Sequence, residues 1–323
     1  MDRKLVGIMV AVASLVVSGI SLLLVGREAS PGAREWETCT GVAADLPHVP
    51  GSCTIFAIRR GEKVFFGNNE DWTDPKTIYW VEPSAKGQYG SVYLGFNRYN
   101  PQGGINEKGL AFDFNALPKS PMKSNRELPR RPGPLINMIM QQVATVEEAM
   151  AILRRYDWGG AVAWQMLLAD ATGDAVVVSA GPQGELAFTR KSSGDGFLVS
   201  TNFNRANPDN RLGSYPCPRY EKAVEMLGRI QTESDLTVEA LRAIVDAVHV
   251  EGAGVNTLYS NVMDLRRGTI YLYYGHQYGE VVTLDVAKKI AEVSKPTPLR
   301  DLFSRQTVEK AEKEHQDYVS RNH

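Results

Sequence analysis

Gly51-Ser52-Cys53-Thr54-Ile55-Phe56-Ala57-Ile58 and, a few residues on, Phe65-Phe66-Gly67-Asn68-Asn69-Glu70-Asp71-Trp72 read as two strands of a hairpin with Arg60-Gly61-Glu62 as its turn. The first strand opens on a cysteine preceded by two small residues. The second ends on a carboxylate and an indole. Paired this way, Asp71 returns beside Cys53, so that a nucleophile and an acidic partner share one end of a sheet.

A thiol must lose its proton before it attacks a carbonyl, and a histidine commonly takes it. Three histidines, His48, His249 and His276, are candidates, and none stands in a recognisable cysteine-protease context. A cut between Ser52 and Cys53 opens a second route. Cys53 then carries a free α-amine, which titrates near ~8 in model peptides and can serve as the thiol's own base. The small residues Gly51 and Ser52 leave the thiol room to reach the preceding carbonyl and start an N-to-S acyl shift. Asp71 would hold the amine. The competing reading is a buried strand cysteine, since free cysteines are among the most buried residues.

Cys-Thr-x-Phe followed by Gly-x-Asn-x-Asp-Trp resembles the start of the choloylglycine hydrolase and penicillin V acylase family, N-terminal-nucleophile amidases that cleave linear amide C–N bonds. Three further blocks are similar to that family in the same order: Asn106-Glu107-Lys108-Gly109-Leu110 with Phe114-Asn115, then Ser200-Thr201-Asn202-Phe203, then Pro218-Arg219-Tyr220. The resemblance implies an α+β fold, a four-layer αββα sandwich. It implies Cys53 as nucleophile with Asp71 positioning its amine, and Asn115 and Asn202 as oxyanion donors, each typically worth ~3 kcal/mol of barrier. It also places Arg219 near the thiol, favouring the thiolate.

One departure stands out: Asn68 occupies the position where the family usually carries an arginine that polarises the thiol and contacts substrate. No acyl specificity is therefore carried across. The substrate class is a small N-acyl amide, processed without a cofactor. No metal is expected, because no His/Cys/Asp cluster has ligand spacing along the chain. Alternatives are transfer of the acyl group to an amine, a thiol protease with His249 as base, and a membrane-anchored binding protein that keeps the fold without the chemistry.

The 323 residues carry a net charge of -1 and 43% hydrophobic content, ordinary for a globular chain and without a signature of nucleic-acid binding. Asp2-Arg3-Lys4 precedes a charge-free run from Leu5 to Gly26, long enough for a membrane anchor or a long signal peptide. The basic flank favours an N-terminus inside and a body outside the cytoplasm. Residues 27–52, with Pro31, Pro47 and Pro50, read as a linker or pro-segment. Residues 53–296 form the hydrolase domain, and 297–323 a charged peripheral helix or tail. Cys39 and Cys217 are a candidate disulfide pair in an exported protein. A homo-oligomer is an expectation taken from the family alone.

Along the domain, 77–81 and 91–96 are strand-like, rich in β-branched and aromatic residues, and 100–104 read as a loop. Residues 105–117 read as strands around the Asn-Glu-Lys-Gly turn, and 119–134 as a surface loop. Two helices follow at 135–143 and 145–156, the second opened by a Thr145/Glu148 capping box. Strands are expected at 164–170, 175–179, 186–190 and 197–201, helices at 219–230 and 237–249, and strands at 257–263, 269–274 and 280–284. This order departs from the strict alternation of a doubly wound sheet and suits two antiparallel sheets with helices outside. Trp72 and Trp80 are candidates for walls of an acyl pocket.

Overall fold

A computed structural model describes residues 53–320 except 98–99, 193, 195, 208–212, 214, 253–254 and 293–294. The expectations for the apolar run, the pro-segment and Cys39 lie outside the described residues. Among those described, no helix is long and apolar enough to cross a membrane.

The opening hairpin forms as read. Strands β1 (Thr54–Arg60) and β2 (Lys63–Trp72) pair antiparallel with Ile55 opposite Asn68, and Gly61 turns the chain at φ +55°, a left-handed angle that glycine adopts without steric cost. Strands β3 (Ile78–Glu82), β4 (Ser91–Asn97), β5 (Asn100–Asn106) and β6 (Ala111–Met122) follow as a meander. Helices α1 (Leu135–Gln142) and α2 (Val146–Leu153) come next, then β7 (Gly160–Ala169), β8 (Ala175–Ala180), β9 (Leu186–Arg190) and β10 (Phe197–Ser200). The chain closes with α3 (Pro218–Arg229), α4 (Val238–Ala247), β11 (Asn256–Asp264), β12 (Thr269–Tyr274), β13 (Val282–Asp285), α5 (Val286–Ala291), β14 (Thr297–Pro298) and α6 (Arg305–Ser320).

Two sheets result: six strands in the order β10-β1-β2-β11-β12-β13, and eight in the order β14-β3-β4-β5-β6-β7-β8-β9. Strand alternation sends Ile55, Ala57, Val64 and Phe66 into the space between the sheets, where they meet Val92, Leu94, Ile105 and Leu167 of the other sheet. The opposite face of the six-stranded sheet offers Phe56, Ile58 and Phe65 to Ala223 and Leu227 of α3 and Leu241 and Ile244 of α4. The outer face of the eight-stranded sheet offers Phe112, Leu168 and Val178 to Ile139 of α1 and Ala149 of α2. Three apolar layers thus separate four layers of secondary structure, the expected αββα sandwich. The capping box is realised: Glu148 N–H donates to Thr145 Oγ1 at 3.3 Å and Thr145 N–H to Glu148 Oε2 at 3.1 Å.

Several boundaries differ from expectation. Residues 100–104, expected as a loop, belong to β5. Gly103 lets that strand approach β6 so closely that an added Cβ would lie 2.1 Å from Asp113 Oδ2. Strand β6 runs through Met122 despite Pro118 and Pro121, its register with β7 shifting between Ala116 and Ser120. The segment from Thr297, expected as a charged peripheral helix or tail, does form a helix, α6, but is tied in: β14 pairs with β3, and α6 buries Val308 and Ala311 in the inter-sheet core.

Candidate active site

The alternation that fills the core also sorts the site. On β2, Val64 and Phe66 face the other sheet, and so by parity do Asn68 and Glu70. Asn69 and Asp71 take the helix side, where Asn69 Nδ2 donates to Val245 O of α4 at 2.8 Å. Cys53, just before β1, is 4% exposed, and its Sγ stands 3.7 Å from Glu70 Oε1. Its backbone adopts φ +57°, an angle uncommon for a residue with a Cβ.

The sequence candidates converge on the main chain of Cys53. The Cys53 N–H donates to the Asp71 carboxylate, and the Asp71 N–H reaches back to the thiol. The Cys53 carbonyl accepts from Asn115 Nδ2 at 3.1 Å, across the inter-sheet space, and from Arg219 Nη1 at 2.9 Å, from the first turn of α3. Arg219 also donates to Thr54 Oγ1 at 2.8 Å and to Asn202 Oδ1 at 3.1 Å, and lies 3.6 Å from Asp71 Oδ2. Asn202 Nδ2 donates to Ala116 O at 2.9 Å, and Ser200 Oγ donates to Asn115 Oδ1. Thr257 Oγ1 donates to Asp71 Oδ1. Elements far apart in sequence therefore supply one hydrogen-bonded cluster.

Its electrostatics are unusual. Burial, then the Glu70, Asp71 and Asp113 carboxyls, push the Cys53 thiol well above its ordinary value. Burial first, then the neighbouring Asp71, raises Glu70 to about 8. Burial raises Asp71 to about 6 against the pull of Arg219 and the Thr257 hydroxyl. Burial and Glu70 raise Asp113. Arg219, expected to favour the thiolate, instead binds the Cys53 carbonyl, and the net effect on the thiol is upward. The reason is distance along the residue: a guanidinium committed to the carbonyl oxygen leaves the sulfur facing carboxyls.

Glu70, Asp113 and Gln165 were not singled out from the sequence. Glu70 sits inside the Gly-x-Asn-x-Asp block, and the strand alternation of Cys53 and Glu70 across the hairpin was the available signal. Asp113 shares a face with Asn115, two residues on in β6. Gln165, opposite Asn115 in the β6/β7 register, donates to the carbonyls of Thr201 at 2.6 Å and Phe203 at 2.7 Å, fixing the segment that carries Asn202. Asn68, at the position of the family arginine, is buried opposite Asn261 in register, and neither side-chain amide has a hydrogen-bond partner. Trp80, a candidate pocket wall, is 2% exposed and stacks on Tyr93 at 5.4 Å in the helix-side core. The two ring nitrogens of His249 face the Asp246 carbonyl and Glu251 Oε1, so the protease reading with His249 as base gains no contact. Cys217, the N-cap residue of α3, is a free, buried thiol.

A cavity of about 260 Å³ lies beside this cluster, lined by Thr257, His276, His315 and Tyr318 among others; Thr257, the partner of Asp71, links the two.

Comparison with known proteins agrees with this fold. Residues 58–278 match the family described as acyl-coenzyme A:6-aminopenicillanic acid acyl-transferase. That is more than half of the 323 residues, and the chain belongs to this family. Among solved structures, two variants of conjugated bile acid hydrolase from Clostridium perfringens are similar. One has 15% identity and a TM-score of 0.62 over 78% of this chain and 98% of that one; the other has 14% and 0.58 over 76% and 96%. Penicillin V acylase from Agrobacterium tumefaciens is similar at 20% identity and a TM-score of 0.55, covering 75% of this chain and 89% of that one. At these identities the likeness speaks for the fold, in agreement with the resemblance drawn from the four sequence blocks. No curated protein sequence matches the chain.

Proposed function

We propose that this member of the family is an amidohydrolase that cleaves the linear C–N bond of a small N-acyl amide. Its nucleophile is Cys53, and its base is the α-amine that Cys53 gains when residues 1–52 are removed. One observation carries the reading: Asp71, Asn115 and Arg219 hold the main-chain nitrogen and carbonyl of a cysteine at the start of a central strand. A nitrogen already bonded to Asp71 in the uncut chain becomes, once freed, an amine already in position. The names of the similar structures, a bile acid hydrolase and a penicillin acylase, support an N-acyl amide as substrate class.

In this scheme the thiol gives its proton to the α-amine as sulfur attacks the amide carbonyl carbon. Asn115 and Asn202 serve the oxyanion. The tetrahedral intermediate collapses, the C–N bond breaks, and the amine proton leaves with the departing amine. Water, deprotonated by the same α-amine, then attacks the thioester carbonyl; the C–S bond breaks, the acid leaves, and the Cys53 sulfur takes the proton back from the α-ammonium. A thiol pushed up by burial and carboxyls is protonated in the resting state, so an adjacent base is needed at the moment of attack. The left-handed backbone at Cys53 supports self-cutting, since a non-glycine residue held there stores on the order of 1–3 kcal/mol next to the bond to be cut. Arg3 and Lys4 ahead of the apolar run of residues 5–26 support a body outside the cytoplasm in this reading.

The test is turnover of a panel of N-acyl amides by the wild-type chain and Cys53→Ala. Hydrolysis by the wild type, a trapped acyl adduct on Cys53 and an inert variant are the expected results. Full activity of the variant would sink the proposal. Adding amines to the same assay separates hydrolysis from acyl transfer, which would appear as a new amide product.

A further inference from the structure

We propose that His249, Glu251 and His276 form a binding site for a divalent transition-metal ion of the zinc class, on the side of the sandwich next to Thr257. One ligand atom from each of the three lies within 4.8 Å of the others. His249 Nε2 stands 3.0 Å and His276 Nδ1 3.5 Å from the same oxygen, Glu251 Oε1. Tetrahedral zinc with nitrogen and oxygen ligands at ~2.0–2.1 Å separates neighbouring ligands by about 3.4 Å, so both spacings suit a shared ion.

The surroundings orient His249 and Glu251 as ligands. His249 Nδ1 faces the Asp246 carbonyl, a contact that makes Nδ1 the N–H and leaves the Nε2 lone pair toward Glu251. The Tyr318 hydroxyl of α6 bonds the Glu251 carboxylate from outside. The His276 side chain is 9% exposed, its Nε2 is buried with no hydrogen-bond partner, and its ring lies 4.5 Å from that of His249. Both imidazoles present a ring nitrogen, His249 Nε2 and His276 Nδ1, to the same Glu251 carboxylate oxygen. A single cation engages all three groups. Two imidazoles and one carboxylate select a borderline metal over magnesium or calcium, which prefer oxygen. The cavity of about 260 Å³ is lined by His276 and Tyr318, on one side of the proposed ion.

Sequence spacing hid this set, since His276 lies on the turn after β12, far along the chain from His249 and Glu251. The expectation that no cluster has ligand spacing along the chain holds for the sequence, and the three groups meet only in space. The site brackets Val250, whose N–H donates at 2.8 Å to Thr257 Oγ1, the hydroxyl that in turn bonds Asp71.

The experiment uses the full chain, stripped with a chelator and dialysed against zinc chloride, with metal content, calorimetric titration and the visible absorption of a cobalt-loaded sample as readouts. No substrate enters, so the outcome is independent of the amidase reading. One tightly bound zinc per chain is expected, with four-coordinate cobalt absorption, at least 10-fold weaker binding in Glu251→Gln and stoichiometric binding lost in His249→Ala. Glu251 is partly exposed, so its variant retains the fold even if His276→Ala does not, and circular dichroism checks each. Zinc uptake by the wild type no greater than by Glu251→Gln, or equal binding of magnesium, overturns the proposal.

Discussion

Replacing Glu70 by glutamine changes one atom in the core and removes one titration. Glu70 is 2% exposed, its carboxyl is raised from 4.5 to about 8, and the causes are burial and Asp71. A group whose folded pKa lies above its unfolded value binds more protons in the native state. Its contribution to stability is complete below about 4.5 and is lost as pH rises to about 8. Each pH unit inside that window costs about 1.4 kcal/mol. Between pH 5 and pH 7 the acid at position 70 therefore lowers stability by about 3 kcal/mol. Asp71 and Asp113 slope the same way. The comparison is best made in Cys53→Ala, where no α-amine forms to neutralise these carboxyls. Urea unfolding at pH 5, 6, 7 and 8 should show stability falling with pH in Cys53→Ala and a flatter profile in Cys53→Ala/Glu70→Gln. Parallel profiles across that range would refute the reasoning, because Glu70 would then carry no extra proton in the folded chain.

Other expectations follow from single contacts. Asn202→Ala, which removes one proposed oxyanion donor, should lower kcat by about 100-fold with little change in KM, read from initial rates on the best amide of the panel. Thr145→Ala breaks the capping box of α2 and should cost about 1 kcal/mol in urea unfolding without touching kcat. Gly67→Ala places a Cβ 2.2 Å from Phe56 Cζ, so the ring must move into packed helix-side core, a loss of about 1–3 kcal/mol visible as a lower Tm.

Legibility differed by kind of feature. The hairpin of β1 and β2 could be read because its alternation and its Gly61 turn act within twenty residues, and the helices because capping and apolar spacing are local. In β5, Asn100 to Gly104 looks like loop chemistry, whereas Gly103 serves to admit the Asp113 carboxyl from a strand later in the chain. The tail was read as peripheral for its charge, although Val308 and Ala311 fill the core from one stripe of α6. Within the site, Cys53, Asp71, Asn115, Asn202 and Arg219 came from motif blocks and meet in space. Their hydrogen-bond partners did not follow from the motifs. Nothing local says that Arg219 reaches the carbonyl of Cys53 rather than its sulfur, or that Asn68 faces Asn261. Glu70 and Asp113 belong to different sheets, and only the stacking of the two sheets makes them a pair of buried acids.

The central claim is that Cys53 works as an N-terminal residue. Intact mass and N-terminal sequencing of the protein expressed with residues 1–52, alongside Cys53→Ala, test it most directly. An active wild-type chain that begins at Cys53 and an inactive variant left uncut are expected. An active wild-type enzyme in which Cys53 is still joined to Ser52 would contradict it.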